Sequence, residues 1–170
     1  MMDFEKFLGR KWSNEYDCYA FVRDVYQEAC GITLTDYARP PLWWAKNPEL
    51  DLIRASFRNE GFQPIHVAPH QLQPGDGLMI ALGGQTINHM GVFVGRGRFI
   101  HLPFRSVSRV DLYGGSWMDR TLMVARNPRV HVPDSRPMVQ LMDLLPPDRQ
   151  ERYRAIASSL ASGAPPGGAR

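Results

Sequence analysis

Cysteine is scarce in this chain: its 170 residues include two, Cys18 and Cys30. If both lie on one helix they stand about 18 Å apart at 1.5 Å per residue. A disulfide needs Cα atoms within about 7 Å, so a disulfide framework is excluded. Cys18 is left as a free thiol, as in proteins made in a reducing compartment. No run of 18 apolar residues occurs, and no membrane-spanning helix is expected. The N-terminus, Met1-Met2-Asp3-Phe4-Glu5-Lys6, is acidic at once and lacks a basic region followed by an apolar one, so it is not expected to be a secretory signal. A dense basic stripe is also missing. Residues 1–125 carry 13 Lys+Arg against 13 Asp+Glu, and the last 45 residues, with 7 against 4, hold the whole net charge of +3. Nucleic acid is therefore not expected as a partner. There is no internal repeat, and no cofactor motif.

What is present is a globular composition, 44% hydrophobic and 11% aromatic, at a length that fits one domain. Phe4 and Leu8 share a face of a short helix or arm over residues 2–10. A helix starts at Asp17, with Cys18, Phe21, Val22, Val25, Tyr26 and Ala29 at helical spacing, and Gly31 stops it. Pro40-Pro41 and Pro48 around Trp43-Trp44 predict a loop or broken helix. A second helix is expected from Glu49 to Asn59, and a strand over residues 62–67. From Pro74 the chain reads as short strands cut by glycines: Leu78–Leu82, His89–Val94, Arg98–Leu102 and Thr121–Ala125. A helical part followed by a strand meander reads as α+β. Residues 1–127 form the expected domain, and residues 128–170 a proline-rich extension. Within the extension, Met138–Leu145 and Asp148–Leu160 carry helix signals, and residues 161–170 have a disordered composition.

The chemistry centres on residues 14–22, where Cys18 stands at a helix start. Unpaired N–H groups there carry roughly half a positive charge. A thiol so placed has its pKa lowered, to roughly 3.5–7.5 in known cases. Asp17 is the expected N-cap. A cysteine nucleophile also needs a base and a group that orients the base. Of His66, His70, His89, His101 and His131, only His89 and His101 lie in glycine-punctuated strands downstream of the thiol. A three-residue loop at Gly95-Arg96-Gly97 would pair Val94 with Arg98 and Gly91 with His101. His89 would then be a diagonal neighbour of His101, about 7–8 Å away between Cα atoms. A two-residue turn would put them on opposite faces. Read from the residues alone, three alternatives stay open: Cys18 as a small core residue, the histidines as packing residues, and a zinc site from Cys18, His89 and His101.

The segments Tyr16–Val22, Leu72-Gln73-Pro74-Gly75-Asp76, His89–Gly95 and Phe99-Ile100-His101, taken in order, resemble the NlpC-type cysteine peptidases. The resemblance implies a minimal papain-like fold, a helix carrying Cys packed on a short antiparallel sheet, and cleavage of the peptide stems of bacterial cell wall. It implies Cys18 as nucleophile, His89 as base and His101 as the third polar residue. The stretch Ser108–Trp117, followed by a strand ending at Arg126, together with the insertion at residues 35–60, is similar to tail-tip assembly peptidases of long-tailed phages. That likeness implies a virion tail-tip protein assembled in the host cytoplasm, with tail hub or tail-tip proteins as partners and peptidoglycan as substrate. Asp17, Tyr19 and Trp12 are the implied substrate-binding residues. Tyr19 stands where the wider family usually has a small Ser, so the bond cleaved is left open. A structural tail-tip protein without activity and a cysteine amidase or acyltransferase are the other functions compatible with these residues.

Overall fold

The computed structural model describes residues 2–40, 42–132 and 146–151. The helix expected at Met138–Leu145 and the terminal stretch 161–170 lie outside these residues. So does the Asp148–Leu160 helix past residue 151, its start being helical.

Helix α1, Cys18–Ala29, begins as its sequence requires: Asp17 caps it, accepting from the Ala20 N–H at 2.9 Å. It ends where Gly31 takes a φ of +72°, which only glycine adopts without strain. Tyr19, Phe21, Val22, Val25 and Tyr26 are buried on it. Each such side chain contributes about 1.5–3 kcal/mol when fully removed from water.

The insertion forms α2 (Trp43–Lys46), a 3₁₀ turn over Pro48–Leu50, and α3 (Leu52–Asn59). Helix α3 starts three residues later than the apolar period suggests. The 3₁₀ turn ends at Asp51, whose φ of +36° breaks the helical path.

The strands are β1 (Gln63–Ile65), β2 (Gly77–Ile80), β3 (His89–Gly95), β4 (Arg98–His101), β5 (Arg109–Leu112) and β6 (Thr121–Arg126). A short helix α4 (Ser116–Asp119) precedes β6. All the pairs are antiparallel, in one sheet ordered β1-β6-β2-β3-β4-β5. Strand β5 is an addition to the elements read from sequence. One face of the sheet sends Met79, Met90, Val92, Val94 and Ile100 into the main core with α1. Leu78, Ile80 and Phe99 form a smaller cluster with Tyr113 and Trp117. The architecture is α+β, as expected.

The β3–β4 hairpin reaches the expected register by another route. Gly95 pairs with Arg98, so the turn is the two residues Arg96-Gly97, both at positive φ (54° and 66°). That is the turn geometry that suits the twist of a hairpin. The register then shifts between Phe93 and Gly95, and Gly91 pairs with His101. A two-residue turn alone would have split the histidines; the one-residue bulge restores the parity.

Beneath β2 and β6, Asp76 is buried and accepts two bonds from the Arg126 guanidinium, both at 2.7 Å, and one from the Gln73 N–H at 2.8 Å. Removing the arginine strands a buried carboxylate. Arg126→Met is therefore expected to cost about 3–5 kcal/mol in urea unfolding; a loss below about 1 kcal/mol would show that the pair is not structural. The chain after β6 also packs down: Val130 and Val132 lie against the core, and the Asn127 and Arg129 side chains donate to the Glu60 carbonyl at 2.9 and 2.7 Å.

Candidate active site

Cys18, in the first turn of α1, lies near the start of β3, where the Met90 main-chain N–H favours its thiolate. Cys18 and His89 line one cavity of about 390 Å³, with Asp17, Trp12 and the edge of Tyr19. His101 sits behind His89, fully buried. Further residues of this wall, among them Arg39, Trp44, Phe104 and Arg105, were not picked out from sequence. The places of Arg39 and Trp44 depend on how the insertion folds back over the cleft, and that of Phe104 on the connection between β4 and β5. His66, His70 and His131 do not line it.

His89 Nε2 lies 2.8 Å from His101 Nδ1, and His101 Nε2 lies 3.1 Å from an oxygen of Asp111. Asp111 was not among the sequence candidates. It sits on β5 opposite Phe99, a diagonal neighbour of His101. Its carboxylate only accepts, so His101 donates from Nε2 and offers the lone pair of Nδ1. His89 must then donate from Nε2, which leaves its Nδ1 as the acceptor. The chain of bonds thus sets both tautomers. Phe99 and Trp117 pack against the rings, with centroids 4.5 and 4.9 Å from that of His101. Gly91 makes this possible: a Cβ there would stand 2.7 Å from the Phe99 ring, 2.8 Å from the Ile100 carbonyl and 3.1 Å from the His101 Cβ.

The resting charge state differs from the sequence expectation. Burial pushes the Cys18 thiol up to about 12, with Asp17 adding to the rise; Arg39 and the main-chain N–H groups of Met90 and Tyr19 oppose it and lose. Burial lowers His89 to about 3, helped by His101 and Arg109, and His101 to about 4 despite Asp111. At neutral pH the three groups are a thiol and two neutral imidazoles. In an apolar cleft, desolvation outweighs the partial charge of a helix end. Alkylation of Cys18 by iodoacetamide should therefore rise about tenfold per pH unit beyond pH 9, while fully buried Cys30 stays protected. A plateau between pH 6 and 8 would instead reveal a preformed thiolate.

Asp17 is heavily engaged. Besides capping α1, it receives Arg39 Nε at 2.8 Å and Nη2 at 3.1 Å. Arg39 also donates to the Tyr37 carbonyl and lies 4.4 Å above the Tyr19 ring. The Tyr19 side chain is core: it is fully buried and its hydroxyl donates to the Thr35 carbonyl at 3.0 Å. It supports the Asp17–Arg39 pair from below and offers no free polar group to a substrate. Trp12 is half-buried with its ring against Phe104, centroids 4.7 Å apart. Among the described residues no group of three or more His, Cys, Asp or Glu is placed to hold a metal ion.

Residues 6–126 match the NlpC/P60 family. The chain belongs to that family. NlpC/P60 proteins are cysteine peptidases and amidases, typically peptidoglycan hydrolases, so the α+β fold here is a small papain-like one. Two curated relatives are similar to this NlpC/P60 chain. The tail tip assembly protein K of Escherichia phage N15 is 25% identical over 111 residues, which are 65% of this chain and 44% of that protein. The gamma-DL-glutamyl hydrolase of Bacillus subtilis is 26% identical over 148 residues, 82% of this chain and 31% of that protein. The chain thus spans less than half the length of either. A solved NLP/P60-family protein of Staphylococcus aureus, described as similar to a lipoprotein, has 20% identity and a TM-score of 0.45, covering 74% of this chain and 38% of its own. No described helix is long and apolar enough to cross a membrane.

Proposed function

We propose that this NlpC/P60 domain is a cell-wall endopeptidase of a phage or phage-like tail tip, cutting amide bonds in peptidoglycan stem peptides. The observation that carries the proposal is the line of groups from a cleft thiol through His89 and His101 to Asp111. In the proposed reaction, His89 Nδ1 takes the Cys18 proton as the sulfur attacks the scissile carbonyl carbon. The Cys18 N–H at the helix start faces the developing oxyanion. His101 and Asp111 favour the charged His89 that forms. His89 then returns its proton to the leaving amine, and water releases the acyl group from sulfur.

The tail-tip assignment draws on the similarity to protein K of phage N15, and the peptide class on the similarity to a gamma-DL-glutamyl hydrolase. The test is digestion of purified peptidoglycan followed by mass spectrometry. The proposal expects soluble fragments with new termini inside the stem peptide; intact stems after long incubation would reject it. Residues beyond Val132 are proposed to dock on a tail hub protein. A chain shortened after Val132, which spares the packed valines, should fold but fail to enter particles. Incorporation of the shortened chain would refute the docking role.

A further inference from the structure

The cavity walls contain three charged residues, Asp17, Arg39 and Arg105. The first two neutralise each other through the paired bonds described above. Arg105 is left over. Among the described residues no carboxylate lies within ion-pair distance of it, and its recorded contact is with the Phe104 ring, 5.1 Å below its guanidinium carbon.

The backbone presents this cation deliberately. Arg105 has a φ of +53°, a conformation that residues with a Cβ rarely adopt. Such strain persists where the surroundings enforce it, and it concentrates at functional sites. Here the enforcement is visible: the Ser106 N–H donates to the Pro103 carbonyl at 3.2 Å, closing the turn. The Trp12 N–H donates to the Ser106 carbonyl at 3.0 Å, tying the turn to the segment that leads into α1. Arg105 is exposed on this turn and lines the cleft with Trp12 and Phe104.

We propose that Arg105 is a substrate-recognition residue that binds a free carboxylate next to the scissile amide. The inference rests on the hydrolytic reading above and deepens it. A guanidinium matches a carboxylate with two parallel bonds, and the pairing is strengthened where water is partly excluded. In a stem peptide joined through the γ-carboxyl of glutamate, the α-carboxyl is free and lies a few bonds from the cleaved amide. Some cell walls carry that group as an uncharged α-amide instead. Arg105 would make the enzyme prefer the acid.

Binding separates recognition from turnover. In a Cys18→Ala protein, a stem tripeptide with a free α-carboxyl is expected to bind at least about tenfold more tightly than its α-amide, as charge-assisted hydrogen bonds allow. The preference should shrink with added salt. It should fall to near parity in Cys18→Ala/Arg105→Met, which keeps an apolar stem over Phe104, and be retained only in part in Cys18→Ala/Arg105→Lys, whose ammonium keeps the charge without the paired bonds. Equal binding of the two peptides, no binding of either, or a preference that survives Arg105→Met would overturn the proposal. Failure of the hydrolytic reading looks different. A protein that shows the Arg105-dependent preference but whose wild type releases no fragments keeps the subsite and loses the reaction.

Discussion

Replacing Asp111 with asparagine is expected to lower kcat on a stem peptide by about 10²–10⁴-fold, with the fold retained. Arg109 Nε points at both Asp111 oxygens, 3.2 Å from each, and needs an acceptor. Either orientation of an asparagine amide leaves Arg109 Nε an oxygen, and the damaging orientation is the one that turns the NH₂ toward His101. His101 Nε2 would then have to accept, so its proton would move to Nδ1. His101 would donate to His89 Nε2, and the remaining His89 proton would sit on Nδ1, the nitrogen that acts as base in the proposed reaction. The base would present a proton where it needs a lone pair. Asp111→Ala removes the carboxylate without enforcing the wrong tautomer, so its loss should be smaller. Steady-state kinetics on both variants, with urea unfolding as the fold control, check this order. An asparagine variant as active as the wild type would remove Asp111 from the mechanism.

Much of this site could be read from local sequence, and the exceptions share a cause. The α1 start needed only Asp17, Cys18 and the apolar spacing after them, all within one helix. The β3–β4 pairing needed only the short connection at 95–97: Gly91 pairs with His101 as expected, although Arg98 pairs with Gly95 instead of Val94 across a shorter, bulged turn. Asp111 lies across the 102–108 connection, whose length fixes no register, so its place beside His101 was not legible. Arg39 reaches Asp17 from an insertion whose path follows tertiary packing. Tyr19 reads as a neighbour of the nucleophile, yet position 19 on α1 points into the core toward Tyr37 and Phe57. The upward push on the Cys18 thiol was not legible for a related reason. A helix start is visible in sequence, whereas the desolvation that dominates at Cys18 comes from residues distant in the chain.

Removal of Cys18 has the largest expected effect. Cys18 is half-buried on the cleft wall, and an alanine there fits the space without burying a new polar group. Stability should change little, while no other residue on the wall offers a nucleophile positioned beside His89. Because the resting thiol is neutral, the sulfur attacks only as His89 accepts its proton, and neither group substitutes for the other. Loss of one member of such a unit costs about as much as loss of the whole, about 10⁴-fold or more. The direct measurement is parallel digestion of purified peptidoglycan by the wild type and by Cys18→Ala, with released fragments quantified by mass spectrometry. The account predicts stem-peptide cleavage by the wild type and none above background by the folded variant. Equal release from the two proteins would contradict it.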